Sequence, residues 1–238
     1  MMQKPFAVFD IDGTVARTSL FLATVHEMMR RQMTSKEDSD RIHAALDDWI
    51  MRRSDGAFHV YEMLCVEVLY KELGNVKISA YESVLDKVIE KFSGKTYKYT
   101  TNLIKQLKDE GYMVLAVSGS EQKAVARFCK LHGFDDYIGV DFHRDGFYFT
   151  GSATDVVHNK HTYLQELIDR HDLSRHDSIG VGDTKSDIEM LKMVAEPICF
   201  NPNKELLEYA RKAGWKIVIE RKDVVYELDK KGKVYTLS

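Results

Sequence analysis

The amino-acid sequence predicts an α/β protein whose doubly wound, parallel sheet is interrupted by an all-helical insertion. Three observations carry that expectation. From Thr100 onward, short apolar runs alternate with helix-length amphipathic segments, the rhythm of strand–helix–strand units. Before that point, one strand-like run, Pro5-Phe6-Ala7-Val8-Phe9, is followed by about four helices with no strand between them. Acidic and hydroxyl-bearing segments fall directly after predicted strands, at the strand ends where such sheets bind ligands.

The elements follow in order. Phe6–Phe9 is apolar throughout and suits a strand buried on both faces. Ser19–Gln32, Ser39–Met51, Ala57–Leu73 and Ser79–Phe92 carry apolar residues at helical spacing, the last two stopping at or near Gly74 and Gly94. Helix Thr101–Glu110 ends at Gly111 and feeds strand Met113–Val117; helix Glu121–Leu131 ends before Gly133. Ile138–Phe149 reads as a β-hairpin turning at Asp145-Gly146, a favoured hairpin dipeptide. Helix Lys160–Arg170, strand Ser178–Val181, helix Lys185–Met193, strand Pro197–Phe200, helix Lys204–Ala213 and strand Trp215–Ile219 complete the alternation. The tail, Asp223–Leu228 and Lys233–Leu237, offers a further hairpin.

Composition narrows the function classes. With 238 residues, 44% hydrophobic and 30% charged, the chain has the balance of a globular protein with a sizeable core. A formal net charge of −3 argues against an electrostatic commitment to nucleic acid. No stretch approaches the roughly 18 consecutive apolar residues of a membrane span. The N-terminus has no secretory h-region, and the three cysteines, Cys65, Cys129 and Cys199, lie far apart in apolar surroundings. They read as buried hydrophobes in a reducing compartment, so a cytoplasmic location is expected.

Four segments carry chemistry: Asp10-Ile11-Asp12-Gly13-Thr14, Ser118-Gly119-Ser120, Lys160, and Gly182-Asp183-Thr184-Lys185-Ser186-Asp187. Each has an ordinary explanation when read alone. Asp-x-Asp-Gly makes turns, and Asp183 can cap a helix with Asp187 solvated. Ser118 can cap the helix that follows, with Glu121 at capping-box spacing. An EF-hand calcium loop fits poorly because a strand precedes Asp10, and a dinucleotide loop at Gly180-Val181-Gly182 lacks its third glycine. Lys160 opens a helix, where the dipole disfavours a cation, which suggests a use for its charge. The four segments bring together carboxylates, hydroxyls and an ammonium, the groups that hold a divalent cation and a phosphoryl group.

In this order the segments resemble the four motifs of the haloacid dehalogenase (HAD) superfamily of phosphohydrolases. More narrowly they resemble its phosphoserine-phosphatase-like branch, subfamily IB, whose helical cap is inserted between the first and second motifs. The likeness runs over about residues 5–220 and includes Asn201-Pro202 and Ala213-Gly214-Trp215. It implies a Rossmann-like core from residues 1–15 and 96–238, and a helical cap from 16–95. It also implies Asp10 as nucleophile and Asp12 as general acid and base. A magnesium ion (Mg2+) would be held by Asp10, the Asp12 main-chain carbonyl and Asp183, with Asp187 as an auxiliary metal residue. Gly13, Thr14, Ser118, Gly119 and Lys160 would hold the phosphoryl oxygens.

The sequence departs from phosphoserine phosphatases after the first motif. Where those enzymes place a glutamate for the substrate ammonium, the stretch Arg17-Thr18-Ser19-Leu20 aligns Ser19, and Gly13 stands where they usually carry serine. Phosphoserine is therefore disfavoured, and Arg17 is the candidate contact to the rest of the substrate. The expected activity is Mg2+-dependent hydrolysis of a small phosphorylated metabolite. Two alternatives are a phosphotransferase or phosphomutase using the same aspartyl-phosphate, and a non-catalytic phosphate-binding regulatory protein. The oligomeric state is not legible in the sequence.

Overall fold

The computed structural model describes residues 3–232 and 234–237; Lys233, expected to open the last tail strand, lies outside them. Two compact units emerge. The first comprises the described residues up to Ser19, Ser93–Val140, and those from Asp155 onward. The second comprises Leu20–Phe92 and Asp141–Thr154.

The first unit is built on β1 (Lys4–Phe9), whose Phe6, Ala7, Val8 and Phe9 have no exposed surface. That burial explains the uninterrupted apolar run, because a central parallel strand is covered on both faces. The chain continues through α5 (Lys98–Asp109), β2 (Met113–Glu121), α6 (Gln122–His132) and β3 (Asp136–Val140) on one side of β1. It returns by α7 (Lys160–His171) to β6 (Leu173–Gly182) on the other side of β1, then runs through the short helix α8 (Ile188–Leu191), β7 (Glu196–Phe200), α9 (Lys204–Ala213) and β8 (Lys216–Arg221). These strands pair in parallel, and the strand order reverses direction at β1.

The tail extends this sheet. Strands β9 (Val224–Lys231) and β10 (Val234–Leu237) pair antiparallel, β9 with β8 and β10 with β9, so the order is β10-β9-β8-β7-β6-β1-β2-β3. Leu228 and Tyr235 pack on the cluster Leu191, Cys199, Leu206, Ala210 and Ile217. The Tyr235 hydroxyl donates to the carbonyl of Ala210 or of Trp215, each 2.9 Å away, tying the tail to the end of α9.

The second unit holds α1 (Leu20–Arg30), α2 (Lys36–Ile50), α3 (Ala57–Leu73) and α4 (Ile78–Phe92). Helix α2 begins three residues before its expected start because Ser35 caps it, accepting from the Asp38 N–H at 3.0 Å. With these helices sits the hairpin β4 (Phe142–Asp145) and β5 (Tyr148–Ala153).

Here the structure differs from the sequence reading in three ways. Ile138–Val140, expected within the hairpin, belongs to β3 of the large sheet, and the hairpin starts later, at Phe142. The sequence division leaves the hairpin with the core, whereas it clusters with the helices. The cause is aromatic docking: Phe142 meets Tyr70 and Tyr81 with ring centroids 5.7 and 6.2 Å apart, and Phe149 meets Tyr81 at 5.2 Å. The Ile78 N–H adds a bond to the Phe147 carbonyl at 2.9 Å. The helix expected over Lys185–Met193 is also shorter. A 3-10 turn, Lys185–Asp187, precedes α8, and a reciprocal capping box between Thr184 and Asp187 closes its start. Among the described residues, no helix is long and apolar enough to cross a membrane.

Candidate active site

The chemistry-bearing segments meet because β1 is the strand at which the sheet order reverses. Phe9 is in register with Ala116 of β2 and Val181 of β6, so the residues leaving the carboxyl ends of these three strands converge. Asp10 and Asp183 directly follow β1 and β6, and Ser118 lies in the irregular last part of β2, although more than a hundred positions separate Asp10 from Ser118.

After Asp10 the backbone folds into a tight turn. The N–H groups of Val15 and Ala16 both donate to the Ile11 carbonyl at 2.9 Å, and the Gly13 N–H donates to Ala16 at 2.9 Å. Gly13 has φ +84°, and a Cβ there would lie 2.2 Å from Asp183 Oδ2. Both the backbone conformation and the close approach of Asp183 therefore demand glycine. Thr14 is fully buried and its hydroxyl donates to Asp183 Oδ1 at 3.1 Å. The turn is secured to the returning chain by Tyr97 N–H to Val15 O at 3.0 Å and Thr100 Oγ1 to Thr14 O at 3.0 Å.

Lys160, the first residue of α7, turns its ammonium into this cluster. Its Nζ donates to Asp10 Oδ1 at 2.5 Å and to Asp187 Oδ1 at 2.6 Å. Asp187 uses its other oxygen to accept from the N–H groups of Asp183 and Thr184 at 3.0 and 2.9 Å. Both of its oxygens are thus engaged in organising the loop and the lysine. Gly182 is needed beside it, since a Cβ there would lie 2.6 Å from the Asp187 Cβ.

Three carboxylates face this one ammonium, and the electrostatics follow from that imbalance. Burial pushes the Asp10 carboxyl from 3.8 up to about 7, with Lys160 opposing and Asp187 and Asp12 adding to the rise. Burial, then Asp10 and Asp187, hold Asp183 well above the usual carboxylate range. Burial would lower the pKa of Lys160, but Asp10 and Asp187 outweigh it and keep the ammonium protonated. The Asp10, Asp183 and Asp187 carboxylates each bring an oxygen within 4.8 Å of the others. An all-oxygen donor set with surplus negative charge suits a hard divalent cation, so these residues fit the expected magnesium.

The second motif contributes hydroxyls. Ser118 is fully buried, and its Oγ accepts from the Ser120 N–H at 3.1 Å. Ser118 does not cap α6; Glu121 does, accepting from the N–H groups of Lys123 and Ala124 at 2.8 and 3.0 Å. Gly119 lies so close to Val157 that a Cβ would sit 2.8 Å from its Cγ2. The Ser120 hydroxyl donates to Asp12 Oδ2. Sequence reasoning missed Ser120 as a site residue because its predicted strand stops at Val117; the one available signal is the second hydroxyl in Ser-Gly-Ser. Arg17 is exposed, with its guanidinium 5.5 Å from the centre of the Tyr97 ring, a partner also not anticipated.

Comparison with known proteins shows the family and the fold of the chain. A histidinol-phosphatase of Neisseria meningitidis serogroup C (strain 8013) is 27% identical over 124 residues, covering 49% of this chain and 55% of that protein. The chain spans about half the length of the curated relatives it matches. Among solved structures, a protein of unknown function from Bordetella pertussis Tohama I superposes with a TM-score of 0.72 at 16% identity, covering 92% of this chain and 99% of that one. A phosphoserine phosphatase in a phospho-aspartyl intermediate analogue state superposes with a TM-score of 0.62 at 19% identity, covering 93% and 96%. Identities this low establish a shared fold. The family model of haloacid dehalogenase-like hydrolases matches residues 7–192, spanning all four motifs. The chain therefore belongs to the haloacid dehalogenase-like hydrolase family.

Proposed function

We propose that the protein is a Mg2+-dependent phosphatase that hydrolyses a small phosphomonoester through an aspartyl-phosphate on Asp10. The observation that carries this reading is the buried Lys160 ammonium bridging Asp10 and Asp187 within a cluster of three carboxylates. In the first step an Asp10 carboxylate oxygen attacks phosphorus, the bond to the ester oxygen breaks, and Asp12 gives that oxygen its proton. In the second step Asp12 takes a proton from water as the water oxygen attacks phosphorus. The acyl-phosphate bond breaks, inorganic phosphate leaves, and the Asp10 carboxylate is restored.

The Ser118 hydroxyl, the Gly119 N–H, Lys160 Nζ and the Gly13–Thr14 turn hold the phosphoryl oxygens and stabilise charge as it develops. Asp10, the Asp12 carbonyl and Asp183 are the ligands for magnesium, and Asp187 acts through Lys160 and the loop. When bound, the cation offsets the negative charge of the carboxylates and the phosphoryl group. The helical unit inserted after the first motif takes the role of a cap, and Arg17 is assigned to the non-phosphate part of the substrate. Ser19, where phosphoserine phosphatases carry a glutamate, argues against phosphoserine. Three free, buried cysteines agree with a cytoplasmic location.

The test is Asp10→Asn assayed for phosphate release over a panel of phosphomonoesters with magnesium. Loss of turnover with an unchanged unfolding midpoint supports the mechanism; full activity refutes it. Phosphate transferred to an acceptor rather than released would identify a phosphotransferase or mutase. Absence of any wild-type hydrolysis would favour a regulatory phosphate-binding protein.

A further inference from the structure

Strand β2 is irregular where it reaches the site. Val117 is in register with Ile138 and Glu121 with Val140, so Ser118, Gly119 and Ser120 stand opposite the single residue Gly139. A bulge of this kind re-aims side chains that a regular strand would point elsewhere. Gly139 also clamps the bulge, for a Cβ at that position would lie 2.8 Å from the Ser120 carbonyl and 2.9 Å from the Gln122 Cα. Ser120 is fully buried and its backbone is held from both sides.

From this fixed position Ser120 touches two groups of the site. Its N–H donates to Ser118 Oγ at 3.1 Å, which directs the Ser118 hydroxyl proton away from the strand. Its own hydroxyl donates to Asp12 Oδ2, fixing one carboxyl oxygen and with it the plane of the group.

We propose that Ser120 is a positioning residue for the acid–base step, holding the Asp12 carboxyl toward the leaving oxygen while its N–H orients Ser118. The inference rests on the phosphatase reading above and adds a residue that this reading does not require. It has a specific kinetic consequence. Proton donation matters when the leaving group is a poor one and is dispensable when the leaving group departs as a stable anion. A defect in Asp12 orientation should therefore depend on the leaving group, whereas a defect in phosphate binding or folding should not.

The experiment compares kcat/KM, which reports steps through leaving-group departure, for phenyl phosphate and 2,4-dinitrophenyl phosphate with magnesium present. Ser120→Ala is expected to lower the phenyl phosphate value by roughly tenfold, within the range attributed to general-acid catalysis, and the dinitrophenyl value by less than about twofold. Ser120→Thr, which keeps the hydroxyl, is expected to recover most of the phenyl phosphate rate. Thermal midpoints of all three proteins serve as the folding control. Equal losses on both substrates, or no loss on either, would overturn the assignment, as would a folded Ser120→Thr that behaves like Ser120→Ala. A wild-type protein that hydrolyses neither ester would overturn the phosphatase reading itself and this inference with it.

Discussion

Replacing Lys160 by methionine tests the electrostatic core of the site. The substitution keeps the length and apolar stem of the side chain, so little cavity forms, but it removes the one cation that two buried carboxylates share. The side chains of Lys160, Asp10 and Asp187 are 4%, 5% and 0% exposed, so water cannot replace the lost partner. Removing one member of a buried ion pair costs about 3–5 kcal/mol, a large share of the ~5–15 kcal/mol that keeps a typical domain folded. The midpoint of urea unfolding, measured in metal-free buffer, should fall accordingly.

The loss should also depend on pH. Asp10 has a folded pKa near 7, above its ordinary 3.8, so its contribution to stability is present below about pH 4 and lost as the pH rises through about 7. Without Lys160 the ionised carboxyl is still less favourable, so the gap between variant and wild type should be widest above pH 7 and close as the pH falls toward 4. Magnesium should narrow the gap at high pH by supplying a cation to the same carboxylates. A variant within ~1 kcal/mol of wild type in metal-free buffer at about pH 8, where the carboxylates are ionised, would refute the reasoning.

Two further outcomes follow from the same geometry. Gly13→Ala should weaken magnesium binding, measured by calorimetric titration, and lower turnover by roughly a hundredfold, because the new methyl group must displace Asp183 from the cluster; unchanged magnesium affinity would contradict the close approach. The thiols of Cys65 and Cys199 are pushed by burial up to about 12, and that of Cys129 is raised still further. All three should ignore a chromogenic disulfide reagent in the native protein and react together in denaturant; rapid native labelling would show that one of them is accessible.

Much of the core was legible in the sequence because its elements are locally encoded. The apolar run of β1, the glycine stop at Gly133 and the period of α1 to α4 depend on neighbouring residues alone. The hairpin was read with the wrong start, since nothing local to Ile138–Val140 says that it pairs with β2. Its docking on Tyr70 and Tyr81 likewise depends on residues some 60 to 80 positions away. The helix expected from Lys185 opens as a 3-10 turn and ends at Leu191, a departure that its local apolar pattern does not reveal.

The sequence by itself determined the site's chemical inventory: Asp10, Asp12, Ser118, Lys160, Asp183 and Asp187 are all identifiable from motif type and strand context, and they specify a family. Tertiary structure alone decided how those groups share charge and hydrogen bonds. The strand order around β1 brings the ends of β1 and β6 beside the bulge of β2, Lys160 joins Asp10 to Asp187, and that bulge, opposite Gly139, turns Ser120 onto Asp12. The physical reason is range. A motif records which groups are present, while hydrogen bonds and buried ion pairs act over about 3 Å, a scale that only the packed chain defines.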